Sequence, residues 1–295
     1  MRISYIISAY KYPEQLVRLV RCLNEVDANF LIHIDKKSNN KVFSIAQKEL
    51  SDLKNVTFLE RHSCYWGDFG HVQSTIKGIQ AICDQQIDFD YLFLLTGQCY
   101  PIKPKQEIKH FLKNHHDYSF MDYKIIDSYR NKKRVERWNI RLFSRFYVSF
   151  PNRYIPIPVK RSYPESVEFF FKGSSYWCLS REAVAYLQNF LSADSPRNKQ
   201  LINFFRGVYI PDEIFFQTIL INSPLKDKII NENLWYIDWP SGSYVPSPRV
   251  LDESYYYELV SSPKLFARKF DMERSPKILD LLDSLNTKQM NCDAP

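Results

Sequence analysis

The sequence predicts an α/β protein whose sheet is mostly parallel, joined to a mixed second half. Two observations carry that reading. Short, nearly continuous apolar strands alternate with helical stretches through roughly the first 120 residues, the pattern of parallel strands covered on both faces. Polar residues gather where those strands end, and open parallel sheets bind ligands beyond the carboxyl ends of their strands.

Ile3–Ser8 reads as the first strand, too short and too polar for a membrane span or signal peptide. Pro13–Glu25 follows as a helix with Leu16, Leu19, Val20 and Leu23 on one face. Phe30–Ile34 is the next strand, then come a polar helix near Val42–Leu53 and the strand Val56–Glu60. A helix over His71–Asp84 buries Val72, Ile76, Ile79 and Cys83, and leads to the strand Tyr91–Leu95. The strand ends carry Ser8-Ala-Tyr-Lys11, His33-Ile-Asp-Lys-Lys37, His62-Ser-Cys-Tyr-Trp-Gly67 and Thr96-Gly-Gln-Cys-Tyr-Pro-Ile-Lys103.

Further along the pattern loosens. Strands are expected at Glu168–Lys172 and Ser175–Leu179, with a helix carrying Val184, Leu187 and Leu191, and the segment Leu234-Trp-Tyr-Ile-Asp-Trp239 comes later. No repeat, low-complexity tract or linker divides the chain. We expect one compact unit over residues 1–295, with a nucleotide-binding half (1–117) and an acceptor and catalytic half (118–295).

At 295 residues, 45% hydrophobic and 25% charged, the chain can bury a large core. Aromatics reach 16%, which suits stacking on bases or sugar rings, although most must simply be core. The net charge of +7 is uneven: residues 102–161 hold 15 Lys or Arg against 5 Asp or Glu. Such a stretch attracts nucleic acid, a phospholipid surface or a phosphorylated substrate, or is a solvated basic face. The 6 cysteines show no Cys-x-x-Cys pair and no metal spacing, which favours a reducing, cytoplasmic setting.

The stretch from Arg206 to Pro224 is the richest in chemistry. Pro211 presets φ for a first helical turn, so Ile214–Ile221 is expected as a buried helix with Asp212 and Glu213 at its N-terminal mouth. A carboxylate held there against Phe215 and Phe216 suits a general base, or else merely complements the helix dipole. A Gly-x-Gly-x-x-Gly, a P-loop and a Ser or Cys nucleophile elbow are all missing from the sequence. Asp88-Phe-Asp90 has the spacing of a metal-binding pair but precedes the strand Tyr91–Leu95, whose far end carries Gly97-Gln-Cys99. Asp88 and Asp90 therefore read as solvated loop residues.

Six blocks occur in order: Phe30–Ser38, Trp66-Gly-Asp-Phe-Gly-His-Val-Gln73, Asp90–Lys103, Gly173-Ser-Ser-Tyr-Trp-Cys-Leu-Ser180, Pro211-Asp-Glu213 and Phe266-Ala-Arg-Lys-Phe-Asp271. Together they resemble the core-2/I-branching β-1,6-N-acetylglucosaminyltransferase and peptide O-xylosyltransferase family, over nearly the whole chain. The resemblance implies a GT-A-type fold and inverting transfer from a UDP-sugar, with GlcNAc or xylose the natural sugars, and neither a cofactor nor a divalent metal. It makes Glu213 the base that takes the proton of the acceptor hydroxyl. It makes Lys269, with Arg249 as partner, the fixed charge on the diphosphate. Ser8, Asp35, Trp66 and Gly67 fall on the nucleotide side; Glu136, Arg137, Trp138, Ser174 and Asp212 fall on the acceptor side.

Physical chemistry agrees with the implication. The departing diphosphate gains negative charge, and without a metal, fixed Lys and Arg must stabilise it. Outside the family context, Lys269 and Arg249 would read as surface charge, and Trp66 equally as a core aromatic. The animal members carry a membrane anchor and lumenal disulfides, and this chain shows neither. The expectation is thus a bacterial-type cytoplasmic enzyme of surface or capsular polysaccharide synthesis, acting on a glycan or lipid-linked glycan, without nucleic acid. The segment 102–161 is then placed to rest on the anionic inner face of the membrane. Two rivals from other classes are a basic nucleic-acid-binding protein and a catalytically silent carbohydrate-binding protein.

Overall fold

The computed structural model describes residues 1–127, 135, 137–141, 154–164, 167–241 and 247–292. The first half alternates β1 (Ile3–Ala9), α1 (Pro13–Leu23), β2 (Ala28–Ile34), α2 (Asn40–Glu49), β3 (Val56–Phe58), α3 (Gly70–Asp84) and β4 (Tyr91–Thr96). Next come β5 (Tyr100–Pro101), α4 (Lys105–Asn114), β6 (Ser119–Met121), β7 (Lys124–Ile125), β8 (Arg137–Arg141) and β9 (Tyr154–Lys160). They are followed by β10 (Phe171–Lys172), β11 (Trp177–Ser180), α5 (Arg181–Ser192) and α6 (Pro196–Phe205). A 3-10 turn, Pro211–Glu213, precedes α7 (Phe215–Ile221), and the chain continues through β12 (Ile229–Ile230), β13 (Trp235–Ile237), α8 (Tyr256–Ser261), β14 (Phe266–Arg268) and α9 (Pro276–Cys292).

The central sheet has seven strands in the order β12-β6-β11-β4-β1-β2-β3. β1 lies parallel to β2 and β4, β2 to β3, and β12 to β6, whereas β11 is antiparallel to both of its neighbours. One strand therefore opposes an otherwise parallel sheet, and that sheet draws strands from both halves of the chain. Strand side chains alternate between faces. Tyr5, Ile7, Phe30, Ile32, Phe93 and Leu95 enter one core with Leu16, Leu19 and Val20 of α1. Ile6, Leu31, Leu92 and Leu94 enter the other with Val72, Ile76 and Ile79 of α3. With helices on both faces, all that the parallel strands leave open is their ends.

The second half is built by long-range pairing of very short strands. β14 lies between β13 and β5, with Phe266 opposite both Trp235 and Pro101. α9 is tied back to α1, where Arg18 pairs with Asp280 and Asp283, each at 2.7 Å. Asp283 also accepts the Tyr100 hydroxyl at 2.5 Å.

One expectation is corrected and two gain detail. The strand expected over Glu168–Lys172 contracts to β10, paired with β7. The buried helix expected over Ile214–Ile221 is present as α7, and the two acids before it form a separate 3-10 turn, divided from α7 at Ile214, whose φ is −131°. The Glu213 carbonyl, which a continuous helix would give to the amide four residues on, instead accepts the Gly173 amide at 2.8 Å. Asp88 and Asp90 are loop residues before β4, as expected, with Asp88 half-exposed, and Arg2 and Arg181 each pair with both of them. No helix among the described residues is long and apolar enough to cross a membrane.

Candidate functional site

A cavity of about 1300 Å³ opens at the carboxyl ends of β1, β2 and β4. From the sheet it is lined by Ser8, Asp35 and Thr96; the Trp66-Gly67 loop, the Gly173–Tyr176 loop, the Asp212-Glu213 turn and Arg268-Lys269 close it.

On the side where the sequence leads one to expect the nucleotide, Asp35 is buried at the end of β2. Its Oδ1 accepts the amides of Lys37 at 2.9 Å and Cys64 at 3.3 Å, which fixes the carboxylate at the strand end. The Ser8 hydroxyl shares a 3.3 Å hydrogen bond with that of Ser74 on α3. Trp66 is 45% exposed, so it is not a core aromatic; its ring meets Tyr209 edge-on at 5.5 Å. Gly67 has φ 77°, a left-handed conformation that glycine adopts without a Cβ penalty.

His33, His62 and Cys64 bring one possible metal-ligand atom each within 4.8 Å of one another. Their donors are already engaged within the protein. The His62 amide donates to His33 Nε2 at 3.2 Å, His62 Nε2 donates to the Gly70 carbonyl at 2.9 Å, and the Cys64 thiol donates to that carbonyl at 3.3 Å. Burial, helped by His62, holds His33 down to about 3, and burial pushes the Cys64 thiol up to about 12. The imidazole is thus neutral and the thiol protonated. The trio fits a hydrogen-bonded prop beneath the Trp66 loop better than a metal centre, since a thiol must be deprotonated to ligate.

The carboxylate turn is clamped to the Gly173–Ser175 loop at three points. Besides the Gly173 amide on the Glu213 carbonyl, the Ser175 hydroxyl donates to Asp212 Oδ2 at 2.8 Å and Gln217 Nε2 donates to the Ser174 carbonyl at 2.6 Å. Every residue of α7 is buried, and Phe215 packs edge-on against Phe69 and Phe205. The two acids are therefore held by a rigid hydrophobic element, as a positioned proton acceptor requires.

The cationic wall forms where β14 ends. Lys269 Nζ donates to the Ser247 hydroxyl at 3.1 Å. Burial, reinforced by Lys11 and Arg268, holds the Lys269 ammonium below the usual lysine range. Arg268 lies over the Tyr176 ring at 4.6 Å, and its Nε is buried without a partner among the described residues. Buried amides lock this wall to the sheet. Gln98 Nε2 donates to the Phe270 carbonyl at 3.1 Å, and Gln15 Nε2 donates to the Gly97 carbonyl at 2.8 Å and to the Phe270 carbonyl at 3.3 Å.

Of the residues singled out in the sequence, the cavity brings together Ser8, Asp35, Trp66, Gly67, Ser174, Asp212, Glu213 and Lys269. Arg249 is not in that lining; it is half-exposed and pairs with Asp238 at 3.2 Å, while Arg268 stands beside Lys269 instead. Arg137 and Trp138 belong to β8, and Glu136 lies outside the described residues. Sequence reasoning missed Arg268, Lys11, Tyr209 and Trp239, a tryptophan that is 55% exposed at the cavity. For Arg268 a signal existed in its direct adjacency to Lys269.

The strand-end cavity, with fixed cations facing it and a clamped pair of acids, thus sits on an α/β fold whose central sheet is parallel except at β11. The chain belongs to the Core-2/I-Branching enzyme family, which it matches over residues 3–258. It is 25% identical over 304 residues to "Xylosyltransferase 2" of Canis lupus familiaris, covering 96% of this chain and 33% of that protein. It is 22% identical over 307 residues to the Homo sapiens "Probable beta-1,3-galactosyl-O-glycosyl-glycoprotein beta-1,6-N-acetylglucosaminyltransferase 7", covering 98% of this chain and 68% of that one. The chain thus spans about a third of the xylosyltransferase's own length. Among solved structures it is similar to the galactosyltransferase LgtC in complex with donor and acceptor sugar analogs. There the TM-score is 0.41 and the identity 8%, with 97% of this chain and 95% of that one covered.

Proposed function

We propose that the chain is an inverting glycosyltransferase that moves a sugar, GlcNAc or xylose, from a UDP-sugar to a hydroxyl of a glycan acceptor without a divalent metal. The observation that carries the reading is the meeting, in one cavity, of the cations Arg268, Lys269 and Lys11 with the clamped turn bearing Glu213. In a single displacement the acceptor oxygen bonds to the anomeric carbon as the bond from that carbon to the diphosphate oxygen breaks. The electron pair leaves with UDP, and the acceptor proton passes to Glu213. One displacement inverts the anomeric centre. Arg268 and Lys269 stabilise the charge growing on the leaving group, a role that fixed charges fill best in a dry site. Exposed Trp66 and Trp239 offer flat faces for a base or sugar ring.

Metal independence is supported by the residues themselves. The carboxylate pair Asp88 and Asp90 lies at the amino end of β4, saturated by Arg2 and Arg181, and Gly97-Gln-Cys99 follows the carboxyl end. The wider setting we assign is cytoplasmic surface-glycan synthesis in a bacterium on a lipid-linked acceptor, with no nucleic acid partner. In that setting the basic segment 102–161 meets an anionic membrane face; residues 128–134, 136 and 142–153 of it lie outside the described residues.

The test is UDP release from a panel of UDP-sugars in the presence of glycan acceptors. Transfer with inverted anomeric configuration is expected from UDP-GlcNAc or UDP-xylose. A protein that binds glycans yet neither binds nor turns over any UDP-sugar would be a carbohydrate-binding module instead.

A further inference from the structure

Lys11 lies in the turn between β1 and α1 and lines the cavity. Its ammonium is held in place rather than left to solvent. Nζ lies 3.5 Å from Asp271 Oδ2 and 4.1 Å from the centre of the Tyr12 ring, with the Tyr10 ring at 5.7 Å. The side chain is still 29% exposed. An ammonium carries three donors, so one carboxylate contact leaves others to face the cavity.

Asp271 is what aims it. The carboxylate is buried, and among the described residues Lys11 is the cation that pairs with it. Its Oδ2 also accepts the Tyr12 hydroxyl at 3.1 Å. Tyr12 has φ 52°, a conformation that bulky side chains rarely adopt, and the hydroxyl bond helps to hold the turn that presents Lys11. The backbone is fixed on both sides of Asp271. The Phe270 amide donates to the Gln98 carbonyl at 3.0 Å, and the Met272 amide donates to Gln15 Oε1 at 2.8 Å. The carboxylate that holds Lys11 is thus locked to the sheet mouth, two residues after Lys269.

A buried carboxylate behind and an open cavity in front give the ammonium a direction. At 3.5 Å the contact is longer than the roughly 2.7–2.9 Å of a strong charged hydrogen bond, so it orients Lys11 without using up its donors. An anion entering the cavity meets the ammonium before it meets the carboxylate. After burial, Lys11 is the next cause of the lowered Lys269 ammonium, so the two cations act on one another. Like charges held on one wall are relieved when an anion comes between them.

Resting on the glycosyltransferase reading above, we infer that Lys11 is a third cation for the nucleotide diphosphate and that Asp271 is the positioning residue that aims it.

Titration with UDP and with uridine, followed by ligand-observed NMR, tests this. Lys11→Gln keeps an N–H donor for Asp271 but no charge. It is expected to weaken UDP binding roughly tenfold, the low end for a hydrogen bond to a charged group because the ammonium is part-exposed, and to leave uridine binding unchanged. Lys11→Arg should restore most of the UDP affinity. Asp271→Asn keeps an acceptor for Tyr12 but removes the charge that aims Lys11, so in the wild-type background UDP affinity should fall severalfold. In the Lys11→Gln background the same substitution removes only a repelling charge, and UDP affinity should rise. Should Lys11→Gln not fold, the double variant with Asp271→Asn leaves no buried charge unpaired and should still bind UDP more weakly than wild type, with uridine unchanged. UDP and uridine weakened alike, or UDP unaffected, would overturn the diphosphate contact. A rise in UDP affinity on Asp271→Asn in both backgrounds would overturn the positioning role. No binding of UDP by wild type would instead defeat the glycosyltransferase reading on which both rest.

Discussion

The carbonyl of Gly67 accepts the amide of Ile210 at 3.0 Å. One hydrogen bond thereby joins the loop carrying Trp66 to the residue that precedes Pro211-Asp212-Glu213. Both ends are conformationally special, since Gly67 has φ 77° and Ile210 has φ 53°. The Trp66 side and the acidic side of the cavity are therefore not independent walls.

Gly67→Ala places a Cβ in the left-handed region, at a cost of roughly 1–2 kcal/mol. We expect a lowered melting temperature and, because the loop and turn are bonded, a loss in both donor KM and kcat. A variant with altered donor KM alone would show that the two walls move separately.

Glu213→Gln keeps the shape of the turn and its carbonyl bond to Gly173 but removes the proton acceptor. Turnover should fall on the order of 10²–10⁴-fold, with UDP affinity little changed. Near-normal transfer by this variant would pass the role of base to another group.

Arg268→Ala and Lys269→Ala should each cost about 3–4 kcal/mol of barrier, by comparison with loss of a single oxyanion donor in a dry site. Arg249→Ala should cost far less, because its guanidinium is half-exposed and paired with Asp238. Steady-state rates of the three variants rank them. An Arg249 variant as damaged as the other two would restore Arg249 as the diphosphate partner.

The pH dependence of UDP binding follows from Lys269. Its ammonium loses its proton below the ordinary lysine value of 10.5, chiefly through burial. Diphosphate favours the charged form, so affinity is full below the lowered value and falls as pH rises through it. For stability the sign is opposite: the unfolded chain binds the extra proton, so this lysine's cost to the fold fades as pH climbs through the same window. Lys269→Arg keeps its charge throughout and should flatten the alkaline decline in UDP affinity measured by titration.

Transfer should survive saturating EDTA and gain little from Mn²⁺. Activity abolished by EDTA and restored by Mn²⁺ would replace the fixed-cation mechanism with a metal-assisted one.

How much of this was legible in the sequence depends on what fixes each part. β1, β2 and β4 are apolar on both faces because helices cover both, so their runs and the turns between them could be read directly. β5, β10, β13 and β14 have two or three residues each and exist only through partners far away in the chain, which no local period reveals. The Asp212-Glu213 turn was legible from Pro211, but its separation from α7 at Ile214 goes with the Gly173 amide, far earlier in the chain. Gln15 left a trace that could have been used: it is a polar residue on the buried face of α1, beside Leu16 and Leu19. Its two amide bonds to Gly97 and Phe270 explain that departure from the apolar pattern.

The locking of Phe270 to Gln98 and Gln15 bears on synthesis as well as on mechanism. The parallel strands β1 to β4 can pair as soon as the first third of the chain has left the ribosome, yet Arg268 and Lys269 are translated more than 170 residues after β4 ends. Until then the Gln98 and Gln15 amides lack their Phe270 partner, and the mouth of the sheet has no cationic wall. A nascent chain, or a fragment that stops before β14, would carry the carboxylate turn without Arg268 and Lys269, the charges proposed to receive the diphosphate. Such a chain would lack Phe266, Phe270 and Leu279 from its core as well as Arg268 and Lys269 from its cavity, so the same late segment completes both packing and site.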